Sequence, residues 1–297
     1  MLSGETLSQL RAFSKNRRVD KNPPAPEGHR ISTSSLPEGQ FIKTPFGKHW
    51  QSTEPVIEQW DRLPKWLEKM ARCKEFLARA EPDNRSNINN VFQSFIELFP
   101  DRIALLDLET CGFAGSVVFQ AGIMLMQDRQ LQLVQLLATD YSQEPSLLYQ
   151  LRKLLRSIDV LVTFNGKSFD WPVIQDRCIM HRLDQSHPDL VNHMPTVHCD
   201  LLHHSRRHWK KMLPNCKLQT IETYVCDRHR AGDIPGRDIP SAYHDYVRTG
   251  DAWQMRSVLH HNALDLITSL EIAMKIACYE TSMIATVPPT DRECVWR

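Results

Sequence analysis

The stretch Ile103-Ala104-Leu105-Leu106-Asp107-Leu108-Glu109-Thr110 limits what this chain can fold into more than any other. Four apolar residues followed by two carboxylates one residue apart read as a buried strand that ends in acid. Alternate residues of a strand share a face, so Asp107 and Glu109 leave the sheet side by side. Two like charges so close repel, and folding them together is unfavourable unless something offsets the repulsion. A hard divalent cation does so, since Mg²⁺ prefers carboxylate oxygen. An exposed strand end with two solvated acids satisfies the same pattern, and the rest of the chain has to decide between them.

With 297 residues there is room for a large domain and an appendage. The formal net charge of +1 gives no whole-molecule field toward nucleic acid or membrane, so any basic surface is local. Eight cysteines occur without a close CxxC pair or a secretory signal, which fits reduced thiols in a cytoplasmic protein. No apolar run approaches the roughly 20 residues of a membrane span, and no membrane partner is expected.

Residues 1–40, with Lys15, Arg17, Arg18 and a Pro-rich patch, offer little to bury and read as a poorly ordered extension. Residues 41–100 read as an accessory layer: a hairpin from Phe41 to Ile57 turning at Gly47, then helices over Trp60–Ala80 and Ile88–Leu98. The main domain is expected over 101–283, with a tail at 284–297. After Ile103, strands are expected at Val117–Met126 and Leu131–Ala138. The linker Gln127-Asp128-Arg129-Gln130 is short enough for a hairpin, and only Gln135 interrupts the apolar face of Leu131, Leu133 and Leu137. A helix from Pro145 to Ser157, a strand from Asp159 to Phe164 and a helix from Pro172 to Arg182 come next. A short strand at Val197–Asp200 precedes a mostly helical remainder. Three antiparallel strands, then helix, strand, helix, strand is the order of the ribonuclease-H-like fold: α/β, with a mixed central sheet flanked by helices.

Asn165-Gly166 is a turn signal and Pro172 suits a first helical turn, which puts Asp170 where strand gives way to helix. There it is either a ligand-edge acid or a plain helix-start acid. On the C-terminal helix, His261 and Asp265 are four residues apart on one surface, and His260 is five from Asp265. A structural His/Asp pair and a carboxylate with its proton acceptor both account for them.

In that order, Asp-x-Glu, an Asp after a fourth strand and a His/Asp pair on a late helix resemble the DEDD (DnaQ-like) 3′–5′ exonuclease superfamily. Asp107-Leu108-Glu109-Thr110, Thr163 to Asp170, Cys199 to His203, Arg206 to Trp209, Asp233 to Gly236, Ile239 to Tyr243 and His261 to Asp265 look like its YprB-type ribonuclease-H-like domain. The resemblance implies a two-metal nuclease working from a 3′ end, with Mg²⁺ or Mn²⁺ held by Asp107, Glu109, Asp170 and Asp265. The general base would be His261 or His260; spacing leaves the two open, and Asn262 beside His261 matches the YprB-type pattern. Two rival functions are a nuclease-fold binding module without catalysis and a structure-selective endonuclease using the same metals.

From His198 to Leu218 there are five basic residues against one acid, and Arg206, Arg207, Lys210 and Lys211 project from one helical face. Such a strip suits phosphate contact, as do Asn165 and Lys167 beside Asp170, although a solvated basic face reads the same way. Cys199, His203, His204 and His208 lack the second Cys/His pair of ordinary zinc spacing and are taken as structural.

Overall fold

A computed structural model describes residues 34–112 and 115–282. The extension expected over 1–40 lies mostly outside these residues, and the tail expected at 284–297 lies wholly outside. Among the described residues, Ser34 and Ser35 bond through their backbone to Asp251, Ala252 and Arg256.

The strands are β1 (Gln40–Thr44), β2 (Gly47–Pro55), β3 (Ile103–Thr110), β4 (Val118–Gln127), β5 (Gln130–Leu137), β6 (Val160–Thr163) and β7 (Val197–Asp200). The main helices are α1 (Leu63–Arg79), α2 (Asn90–Leu98), α3 (Glu144–Leu155), α4 (Asp170–Met180), α5 (Leu201–Trp209), α6 (Leu218–Val225), α7 (Ile239–Thr249) and α8 (Trp253–Ser282). The strands form one sheet in the order β1-β2-β5-β4-β3-β6-β7. It is antiparallel from β1 to β3, and β6 and β7 run parallel to β3. The hairpin expected in an accessory layer instead continues the sheet, because β2 pairs with β5. Only α1 and α2 form a layer, packed with α8 in one core.

The period-2 pattern of β3 divides its side chains between two cores. Ile103 and Leu105 pack under α1, α2 and α8, whereas Ala104, Leu106 and Leu108 pack against α3 and α4. Asp107 and Glu109 therefore belong to the face that α8 covers. The β4–β5 turn has Asp128 at φ 49° and Arg129 at φ 63°, the paired left-handed geometry of a two-residue hairpin achieved without glycine.

A polar seam fixes α8 over the sheet. Asp107, Gly122 and Gln135 stand opposite one another on β3, β4 and β5. Asn262 lies across them: its Nδ2 donates to Asp107 Oδ2 (2.8 Å), and Gln135 Nε2 donates to the carbonyl of Leu259 (2.7 Å) and to Asn262 Oδ1 (3.3 Å). The interruption at Gln135 is thus the donor side of a helix–sheet contact. Gly122 is required because a Cβ there would stand 1.9 Å from Asn262 Oδ1 and 2.7 Å from Leu266 Cδ1. Gly122→Ala should cost about 1–3 kcal/mol through overpacking. It would be read as a lower denaturant midpoint at unchanged slope, while Gly236→Ala, which meets nothing within 4 Å, should leave the midpoint in place.

Candidate active site

The fold carries Asp107 and Glu109 out at the end of β3, and the pairing shifts register between Glu109 and Thr110. On the β6 side, pairing with β3 stops at Leu105. The exposed ladder is taken up by Asp170, whose Oδ1 accepts the N–H of Leu108 at 3.1 Å. Asp170 is delivered there by the turn after β6. Asn165 adopts φ 70°, and a side chain at Gly166 would strike Thr163 at 2.4 Å. Asp200, at the end of β7, receives the N–H groups of Asn165 (2.9 Å) and Lys167 (3.1 Å), and also that of Leu202 at the start of α5 (3.0 Å). One buried carboxylate therefore holds the Asp170 turn and caps a helix.

From above, α8 adds His261, Asn262 and Asp265. His261 is buried: its Nδ1 is 2.8 Å from Asp233 Oδ2, and its Nε2 is 3.5 Å from Asp265 Oδ2. His260 faces solvent on the adjoining side of the helix. Arg230 donates to Asp265 Oδ1, to Asp233 Oδ2 (3.0 Å) and to Glu222 Oε2 (2.5 Å). Glu222, buried on α6, also accepts from Thr268 Oγ1 on α8 at 2.8 Å. Arg230 and Asp233 lie in the loop before α7; the sequence offered Asp233 only as part of the family-like stretch Asp233 to Gly236, with no role attached, and gave no sign of Arg230. The Pro-rich punctuation there was visible; its contacts with α8 were not.

The four acids disturb one another. Burial, followed by the charges of Asp265, Glu109 and Asp170, pushes the Asp107 carboxyl well above the ordinary range, against the hydrogen bond from Asn262. Burial and the charges of Asp265, Asp170 and Asp233 push Glu109 up to about 8. Burial raises Asp170 to about 7, opposed by its backbone hydrogen bonds. Asp265 is raised by burial, against the pull of Arg230 and His261. Among the described residues no three His, Cys, Asp or Glu side chains form a ready-made metal-binding group. Asp265 is instead turned onto Arg230.

The structure does not bring the basic strip to these acids. β7 ends near Asp170, and α5 then leads away from that edge. His208, beside Arg207, reaches Glu280 at 3.5 Å. Glu280 is 15 residues beyond Asp265 on α8, about 22 Å along a helix rising 1.5 Å per residue. Lys167 stays on the turn before Asp170. Nor do the residues of the zinc reading converge, for Cys199 is buried and His204 packs edge-on to Phe92.

The antiparallel run β5-β4-β3 continued by parallel β6 and β7, the helices on both faces and the acids at the end of β3 define a ribonuclease-H-like protein. The RNase_H superfamily pattern matches residues 104–277, and the chain belongs to that superfamily. It is 30% identical over 274 residues to the uncharacterized protein YprB of Bacillus subtilis (strain 168), which covers 87% of this chain. The chain spans 64% of that relative's length. A family B DNA polymerase from Pyrobaculum calidifontis overlays on 63% of this chain and 27% of its own, with 16% identity and a TM-score of 0.43. Among the described residues no helix is long and apolar enough to cross a membrane.

Because folding raises these carboxyl pKa values, the folded chain holds more protons than the unfolded one from about pH 4.5 to about pH 8. Cation-free stability should therefore be greatest at the acid end of that window and decline toward pH 8. With EDTA present, the thermal midpoint is expected to fall between pH 5 and pH 8, by roughly 2–4 °C for each kcal/mol lost in a chain of this size. An Asp107→Asn, Glu109→Gln double variant should flatten that slope.

Proposed function

We propose that this chain is a divalent-cation-dependent nuclease that removes nucleotides from 3′ ends. What supports it above all is the meeting of Asp107, Glu109, Asp170 and Asp265, from three separate elements, at one buried sheet edge where Asp170 and Asp265 raise the proton affinity of both Asp107 and Glu109. Burial of so much like charge is costly unless positive charge arrives, and an all-oxygen donor set suits Mg²⁺ or Mn²⁺. Those four carboxylates would hold the cations. When bound, the cations supply the positive charge that stabilises the attacking and leaving oxygens of an in-line displacement.

The chain's own groups do the remainder. Asn262 holds one Asp107 oxygen through its amide and leaves the other free. Asp170 is aimed by the Leu108 N–H. His261, and not the outward-facing His260, is the proton acceptor for water, since it is the one directed at Asp265. Lys167, on the turn that carries Asp170, is the best placed of the basic candidates for a phosphate. The 3′ polarity draws on the likeness of the motifs. A non-catalytic binding module draws on the Arg230–Asp265 pair, which keeps one carboxylate engaged.

The deciding measurement is digestion of end-labelled DNA and RNA, single- and double-stranded, with Mg²⁺ or Mn²⁺, beside a circular single strand. Shortening from the 3′ end with the circle spared is expected, whereas nicking of the circle would indicate an endonuclease. Asp107→Ala should fold and lose the activity, and His261→Ala should slow it by about 10²–10⁴-fold. A fully active Asp107→Ala protein would refute the assignment.

A further inference from the structure

We infer that Asp233 is a positioning residue that sets the tautomer of His261, keeping the proton of the neutral ring on Nδ1 so that in this form Nε2 faces the carboxylates as an acceptor. The inference rests on the reading of His261 as the proton acceptor. The two sides of the ring differ in geometry. Nδ1 is 2.8 Å from Asp233 Oδ2, a full hydrogen bond, whereas Nε2 is 3.5 Å from Asp265 Oδ2, too long for one. A carboxylate only accepts, so the short contact fixes the proton on Nδ1. With the opposite tautomer, Nε2 would present a proton to the acids and to any water placed among them, and the ring could accept nothing.

Asp233 is itself held in place. Its Oδ2 also accepts Arg230 Nη1 at 3.0 Å, and Arg230 is anchored by Glu222 from the buried side of α6. Glu222 is tied to α8 by Thr268 and to the loop by Arg228. The chain Glu222–Arg230–Asp233–His261 thus runs from the core to the reacting face. Because Arg230 and His261 donate to the same oxygen, an asparagine at 233 would be held with its oxygen toward both. Asp233→Asn should therefore keep the tautomer, and Asp233→Ala should lose it.

The test is ¹⁵N spectroscopy of the full chain labelled at histidine, cation-free and without substrate, with the His261 signals identified among 13 histidines by their loss in His261→Gln. Read on the neutral ring, at a pH where the spectra themselves show one ring proton, the expected result is protonation at Nδ1 in the wild type and in Asp233→Asn, with the proton moved to Nε2 in Asp233→Ala. A wild-type neutral ring protonated at Nε2 would overturn the inference, as would an unchanged tautomer in Asp233→Ala. These signals require no hydrolysis, so a chain that cleaves nothing refutes the nuclease reading and leaves this one standing. If both hold, Asp233→Ala lowers kcat about 10–100-fold with KM nearly unchanged, and Asp233→Asn recovers most of it.

Discussion

Repulsion among carboxylates withdrawn from water is the condition to which this structure responds. Asp107 and Glu109 cannot be separated without breaking β3, because the two-residue period of a strand puts them on the same face. Asp170 and Asp265 arrive from α4 and α8 and add to the strain. Three of the four acids are met by a directed partner: Asn262 on Asp107, the Leu108 N–H on Asp170, and Arg230 on Asp265. Glu109 has the least help, with three acids acting on it and its carboxyl pushed up to about 8. These contacts moderate the repulsion without cancelling it, and what is left is a standing affinity for positive charge.

The same contacts explain the architecture around the site. α8 is apolar along most of its length, which would let it slide or rotate on the sheet. The Asn262 amide over Gly122, between Asp107 and Gln135, allows one register. A polar group in an otherwise greasy interface costs stability unless paired and, once paired, specifies position. The helix–sheet contact and the placement of His261 and Asp265 are consequently one interaction.

Local pattern carried much of this. The alternation in β3, the four-residue β4–β5 linker and the Asn165-Gly166 turn each act over a few residues, and the structure bears out the strands and turns expected from them. Where the reading stopped, the physics was long-range. Nothing near Gln135 says that an asparagine 127 residues later lies against it. In the loop holding Arg230 and Asp233, the family-like stretch Asp233 to Gly236 and its Pro and Gly mark a bend without naming its neighbours. The basic face of α5 was legible as a face, but its direction depends on β7 being the sheet's last strand, a matter of topology. The β1–β2 hairpin was legible as a hairpin; that it would join β5 was not.

Asn262 meets Asp107 across 155 residues of chain. Closing so long a loop costs more chain entropy than forming a hairpin or a helix, and the site depends on it. Without α8 on the sheet, the end of β3 would lack His261, Asn262 and Asp265. The four-carboxylate arrangement is therefore a property of the finished tertiary structure alone.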